Sequence, residues 1–192
     1  MRVHGDRVIR RRKNVKFQSD YHNYVPDLRT DFFQMCGYCG KHEMISHRGM
    51  EPDHFVPDNI DHSRSCDYTN LVYSCFTCNR KKLGKWPTSN KDLPHDGNVG
   101  FVDPATEEFD EHLGRNENGV IEYYTPVGKY MYKAFKFDIR PTQMIWKASE
   151  LYQLSSELEK EIDLLPQDKR EQFIKIITDL HTLQRYLFEH KE

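Results

Sequence analysis

Two short cysteine pairs, Cys36-Gly-Tyr-Cys39 and Cys75-Phe-Thr-Cys78, carry the strongest chemical signal in the chain. The C-x2-C spacing lets the backbone turn so that both thiolates face one point. Two such knuckles complete the tetrahedral sulfur shell that zinc favours. Paired knuckles without a thioredoxin-like pattern point to metal rather than to redox chemistry or a disulfide. Cys36, Cys39, Cys75 and Cys78 are therefore expected to hold a structural zinc, and Cys66 stands apart as an ordinary thiol. Between the knuckles lie Glu51-Pro52-Asp53-His54-Phe55-Val56-Pro57 and, further on, Asn70; Asn79 follows Cys78 directly, ahead of Arg80, Lys81, Lys82 and Lys85. Adjacent residues on a strand point to opposite faces, so a bend or bulge is needed to aim Asp53 and His54 at one place. Taken singly these residues mean little, since an isolated Asn is more often a turn or a helix cap than a ligand. Their joint occurrence, threaded through the zinc knot, is the informative feature.

The elements that must position this set are readable in outline. Residues 27–34 suit a short helix leading into the first knuckle, with Pro26 placed for its first turn. Residues 1–26 read as a basic N-terminal arm with little apolar periodicity. Residues 87–118, with Pro87, Pro94, Gly97, Gly100 and Pro104, read as loop. Residues 119–127 are β-rich and include a strand. In the last fifty residues Met144, Ala148, Leu151, Leu154, Leu158, Ile162 and Leu165 recur at steps of three and four, and so do Phe173, Ile177, Leu180, Leu183 and Leu187. Each row lies on one helix face, and Pro166 separates them, which predicts a helical hairpin over 142–190. Leu164, Leu165, Phe173, Ile174, Ile176 and Tyr186 broaden the apolar stripes, so the hairpin is expected to cover a second surface, that of a second copy of the chain, a partner protein or the rest of this chain.

The composition, 37% hydrophobic and 30% charged over 192 residues, fits a globular chain with a modest core. No apolar run approaches the roughly 20 residues of a membrane helix, and no apolar stretch follows the basic N-terminus as a secretory signal would require. A cytoplasmic location and no membrane partner are the default expectation. The net charge of −2 hides a segregated distribution. Residues 1–16 carry seven Lys or Arg against Asp6 alone, whereas residues 103–122 carry seven acids against Arg115 alone. Local basic patches, not the mean, govern nucleic-acid binding.

The stretch from Cys36 to Lys85 resembles the HNH endonucleases, which have the ββα-metal fold, in their four-cysteine form. The resemblance rests on the two C-x2-C pairs, the Asp53-His54 pair followed by Pro57, the middle Asn70 with Leu71 behind it, and Cys78-Asn79 followed by basic residues. Asn79 stands where many members have His, a His-Asn-Asn signature. Weaker similarity extends through Phe101-Val102-Asp103-Pro104, Glu111-His112 and Thr125-Pro126-Val127-Gly128-Lys129. His112 is nevertheless read as structural, and His42, His47, His62 and His95 carry no assigned role.

The resemblance implies an α+β protein: a nuclease domain over 27–137 with its core at 36–86, and the helical hairpin behind it. It implies metal-dependent hydrolysis of phosphodiester bonds, in DNA first of all. His54 would act as general base, since neutral imidazole accepts a proton near pH 7. Asp53 and Asn79 would hold one divalent ion; an amide oxygen is a hard ligand, which suits magnesium or manganese. Asn70 would tie a loop to the strand and orient His54. Arg80, Lys81, Lys82 and Lys85 would hold flanking phosphates. Many stand-alone prokaryotic proteins of this kind serve phage defence or mobile elements. Two alternatives remain open at this stage: a non-catalytic zinc-stapled module that binds nucleic acid or protein, and a nuclease acting on RNA or branched DNA.

Overall fold

The computed structural model describes residues 1–159 and 165–189. Helix α1, Val25–Asp31, has Pro26 in its first turn and leads into the first knuckle. Strands β1, Met50–His54, and β2, Leu71–Cys75, form an antiparallel hairpin in which Met50 faces Cys75 and His54 faces Leu71. β2 reads Leu-Val-Tyr-Ser-Cys and is buried along its whole length, the residue mix that packs well on a pleated surface. Pro52 is tolerated in β1 because a two-stranded sheet leaves that strand one open edge. Helix α2, Phe76–Lys82, follows β2 without a loop and ends where Leu83 and Gly84 take positive φ. The core of the molecule is thus a mixed α+β unit of hairpin and helix around the cysteines.

The segment read as loop holds more structure than expected. Helix α3, Phe109–His112, runs into β3, Leu113–Arg115, which pairs with β4, Ile121–Tyr123. Helix α4, Pro126–Ala134, follows at once, with the Thr125 hydroxyl capping Gly128 N at 3.0 Å. Its Thr-Pro start is a helix-start signal inside a stretch otherwise read as strand.

Helices α5, Thr142–Glu159, and α6, Gln167–Glu189, pack together as the C-terminal pair, with Pro166 placed just before α6. Ile162 and Leu164, and the side chains of Leu158, Tyr186 and Leu187, lie outside the described residues. The pair is not detached. Ile145, Ala148 and Leu180 share a small core with Ile45 from the loop between the knuckles, and the Ser149 hydroxyl accepts from His42 N at 3.1 Å.

The N-terminal segment also packs. Val3, His4 and Ile9 are buried, and its arginines meet the acidic stretch. Arg11 grips both Asp103 oxygens at 2.7 and 3.0 Å, Arg2 and Arg10 reach Asp110 and Glu107, and Arg12 pairs with Asp31 and Asp27. Charges segregated along the sequence are neighbours in space. Among the described residues no helix is long and apolar enough to cross a membrane.

Candidate metal centre and active site

The four knuckle cysteines are buried and unoxidised, and their sulfurs lie within 4.8 Å of one another. Cys39 Sγ and Cys75 Sγ are 3.8 Å apart. A disulfide would bring them to about 2 Å, whereas Zn–S bonds of about 2.3 Å at tetrahedral angles set the sulfurs roughly 3.8 Å apart. The cluster therefore fits structural zinc. Local backbone builds it: Gly40, at φ +68, turns the chain behind Cys39 so tightly that a Cβ there would meet Val3 O at 2.6 Å. Arg140, far along the chain and absent from the sequence reading, closes the cluster with Nη1 at 3.2 Å from Cys78 Sγ and Nη2 at 3.7 Å from Cys39 Sγ. Its cation offsets part of the charge that four thiolates carry beyond a zinc dication.

Asp53, His54 and Asn79 line one open depression, together with Pro57, Asp58 and Asn59 of the following loop and the end of α2 from Lys82 to Gly84. No bulge separates Asp53 from His54, since the pairing register is regular to the end of β1. The depression opens at the end of that strand, where Asp53 reaches it from the packed side and His54 from the loop side.

His54 Nε2 lies 2.8 Å from Ser65 O, and its ring packs against Tyr21 at 4.6 Å. A carbonyl oxygen only accepts, so Nε2 carries the proton and Nδ1 keeps its lone pair. Asp53 is buried; Tyr38 Oη donates to its Oδ2 at 2.6 Å and Lys82 Nζ lies 3.3 Å from the same oxygen. Neither partner uses Oδ1. Burial, with the Asp53 charge behind it, holds the Tyr38 phenol well above its usual pKa, so it stays a donor. Asn79 Nδ2 donates to Glu51 Oε2 at 2.6 Å, which fixes the amide so that Oδ1 is its remaining polar atom. Asn70 is buried and clasps Val56: Val56 N donates to Oδ1 at 2.9 Å, and Nδ2 donates to Val56 O at 3.0 Å.

Lys82 departs from the sequence reading. Its side chain is 1% exposed and donates to His54 O at 2.6 Å, so it braces the strand end from inside and is not free to hold a flanking phosphate, the role expected from the sequence. Burial lowers its pKa, with Asp53 opposing. Lys85 Nζ donates to Lys81 O on the exposed side, and Arg80 and Arg48 lie over the Phe76 ring at 5.1 and 4.5 Å. Sequence reasoning missed Glu51, Tyr38 and the Ser65 carbonyl. Glu51 alone had a signal, because it shares a strand face with Asp53 two residues on.

A hairpin and helix drawn together by four clustered thiols, with Asp, His and Asn at its open end, define a ββα unit with a cysteine knot suited to zinc. Residues 36–84, about a quarter of the chain, match the family model described as HNH endonuclease, and the protein carries an HNH endonuclease domain over that stretch. No curated protein and no solved structure gives a significant match to the chain.

Proposed function

We propose that the protein is a divalent-metal-dependent endonuclease that hydrolyses phosphodiester bonds in DNA. The observation that carries this reading is the depression shared by Asp53, His54 and Asn79, with the His54 Nε2 proton committed to Ser65 O. That commitment leaves Nδ1 to take a proton from the attacking water. The Ser65 carbonyl also stabilises the imidazolium that results. Asp53 and Asn79 are the residues that would hold magnesium or manganese through oxygen. Such an ion, when bound, supplies positive charge to the scissile phosphate and the leaving oxygen. Tyr38 and Lys82 on one carboxylate oxygen, and Glu51 on the Asn79 amide, would keep both ligands aimed before substrate arrives. Asn70 would position His54 indirectly, through the loop that presents Ser65 O. Arg80, Lys81 and Lys85 would hold flanking phosphates without reading sequence. A place in phage defence or a mobile element accords with the family resemblance.

The test incubates purified protein with plasmid DNA, branched DNA and RNA in magnesium or manganese, with and without EDTA, beside His54→Ala. Wild type should cut DNA only with metal present. The variant should bind DNA like wild type and cut it about 10²–10⁴-fold more slowly. Cutting confined to RNA or to branched DNA would move the substrate class. No cutting of any substrate would leave a zinc-stapled binding module, and unchanged cutting by the variant would remove His54 from the chemistry.

A further inference from the structure

We propose that His95, Glu108 and His112 form a second divalent-metal site, of zinc type, that clamps the loop at 94–100 onto α3. The site lies outside the depression described above and uses two histidines to which the sequence assigned no chemistry.

The three side chains converge from two directions. Glu108 precedes α3 and His112 ends it, one helical turn apart and therefore on one face. His95 comes from the loop behind α2. That loop is closed by the His95–Gly100 bridge and by Phe101 N donating to Pro94 O at 3.0 Å. Gly100, at φ +139, makes the closure possible, since a Cβ there would lie 2.3 Å from Pro94 O. His95 is thus presented by fixed backbone.

One donor atom from each residue lies within 4.8 Å of the others. His95 Nε2 is 2.8 Å and His112 Nε2 3.6 Å from the same Glu108 Oε1. A tetrahedral ion with bonds of about 2.0–2.1 Å separates its ligands by roughly 3.3 Å, inside that range. Two imidazoles and a carboxylate are a zinc-type ligand set that leaves a fourth position to water.

The surroundings supply the orienting contact such ligands need. His112 Nδ1 lies 2.5 Å from Thr125 Oγ1, which already accepts from Gly128 N as the cap of α4. The hydroxyl can accept from Nδ1 or donate to it. When it accepts, the ring proton is on Nδ1 and the Nε2 lone pair faces the Glu108 carboxylate, the arrangement a bound metal would need. In that tautomer a cation between Nε2 and Oε1 would satisfy both lone pairs. At His95 the ion takes the place of the proton shared with Glu108. The ring proton then sits on Nδ1, at the expense of the long 3.3 Å contact from Gly97 N. The carboxylate is about half exposed, so the ion exchanges with solvent more readily than one inside the cysteine knot.

The experiment counts metal in full-length protein. Protein equilibrated with buffered zinc in excess magnesium is desalted gently and analysed by native mass spectrometry and elemental analysis. Wild type should carry two zinc ions per chain, and a His95→Gln/His112→Gln double variant one. Adding cobalt to protein whose cysteine site is filled with zinc should give a visible d–d band without thiolate charge transfer in wild type only. Glu108→Gln, which keeps both histidines, should weaken the second ion by more than about tenfold; it decides the question if the double variant fails to fold. One zinc in wild type with no cobalt band, or equal metal in wild type and Glu108→Gln, would overturn the proposal and leave three side chains joined by hydrogen bonds alone.

Discussion

Burial and the neighbouring charge of Arg115 lower the pKa of His4 from 6.5 to about 4. His4 packs on the first knuckle, with Nε2 3.3 Å from Cys36 O and its ring 5.9 Å from Phe109. Between these two pKa values the unfolded chain binds a proton that the folded chain refuses. His4 is neutral in both states above pH 6.5 and costs nothing there. Stability should fall as pH drops from about 6.5 to about 4, by up to roughly 3 kcal/mol, with no further contribution below. Urea unfolding across pH 7.5–5.5 with zinc in excess measures this. His4→Gln should flatten the slope, and parallel curves for the two proteins would assign the acid sensitivity elsewhere. Lys82 is sensitive in another way. Its removal leaves the Asp53 charge buried with Tyr38 alone, so Lys82→Met should lose about 3–5 kcal/mol of stability on thermal or urea unfolding. If Lys82 merely faced solvent, the change would be within experimental error.

At the scale of elements, the loop from Phe55 to Ser65 decides whether His54 is held. Asn70 ties its start at Val56 through two hydrogen bonds and reaches Arg64 O at 3.4 Å, beside the carbonyl that His54 uses. Asn70→Ala leaves Val56 N and O without their partner and should cost about 1–3 kcal/mol. It should lower cleavage more than DNA binding, because the loop then presents Ser65 O less firmly. A variant that loses stability but keeps full turnover would separate Asn70 from His54. The knuckles, α1 and the C-terminal helices were legible because each rests on spacing within a few residues. The strands of the nuclease hairpin followed only through the family resemblance. Helix α4 was hidden by the β-rich residues ahead of it, although Thr125-Pro126 marks a helix start. Glu51 on Asn79, Tyr38 on Asp53 and Arg140 on the cysteines could not be read, since those pairings exist only once the hairpin closes. Of the bend or bulge expected at Asp53-His54, the register shows no bulge, and the chain bends at Phe55 and Val56 where β1 ends.

At the scale of the molecule, Arg115 joins what the sequence divides. Its guanidinium is buried and donates to Val3 O, Gly119 O and Cys39 O, at 2.8, 2.6 and 2.5 Å, while Trp146 of α5 covers it at 4.4 Å. The N-terminal segment, the first knuckle, the β3–β4 turn and α5 therefore share one buried cation. This bears on the C-terminal pair, for which the sequence left open a second copy, a partner protein or the rest of the chain. α5 meets the rest of the chain through Ile145, Trp146, Ala148 and Ser149, all buried, whereas Ile174 of α6 is 63% exposed and Leu154 of α5 43%. The two helices should thus behave differently on truncation. A chain ending at Arg140 strips the cover from Arg115 and the apolar contact from Ile45. It should fail to fold, or hold its zinc so loosely that mild chelation unfolds it. A chain ending at Glu159 keeps α5 and loses only Phe173, Leu180 and their neighbours. It should fold with zinc bound and a lowered melting temperature, and it should cut DNA at close to the wild-type rate, because no described residue of α6 lines the depression. Circular dichroism, zinc content and cleavage on both chains test this, with light scattering of the full-length protein across micromolar concentrations beside them. A folded, zinc-loaded chain ending at Arg140, together with a dimeric full-length protein, would instead make the whole C-terminal pair an assembly element.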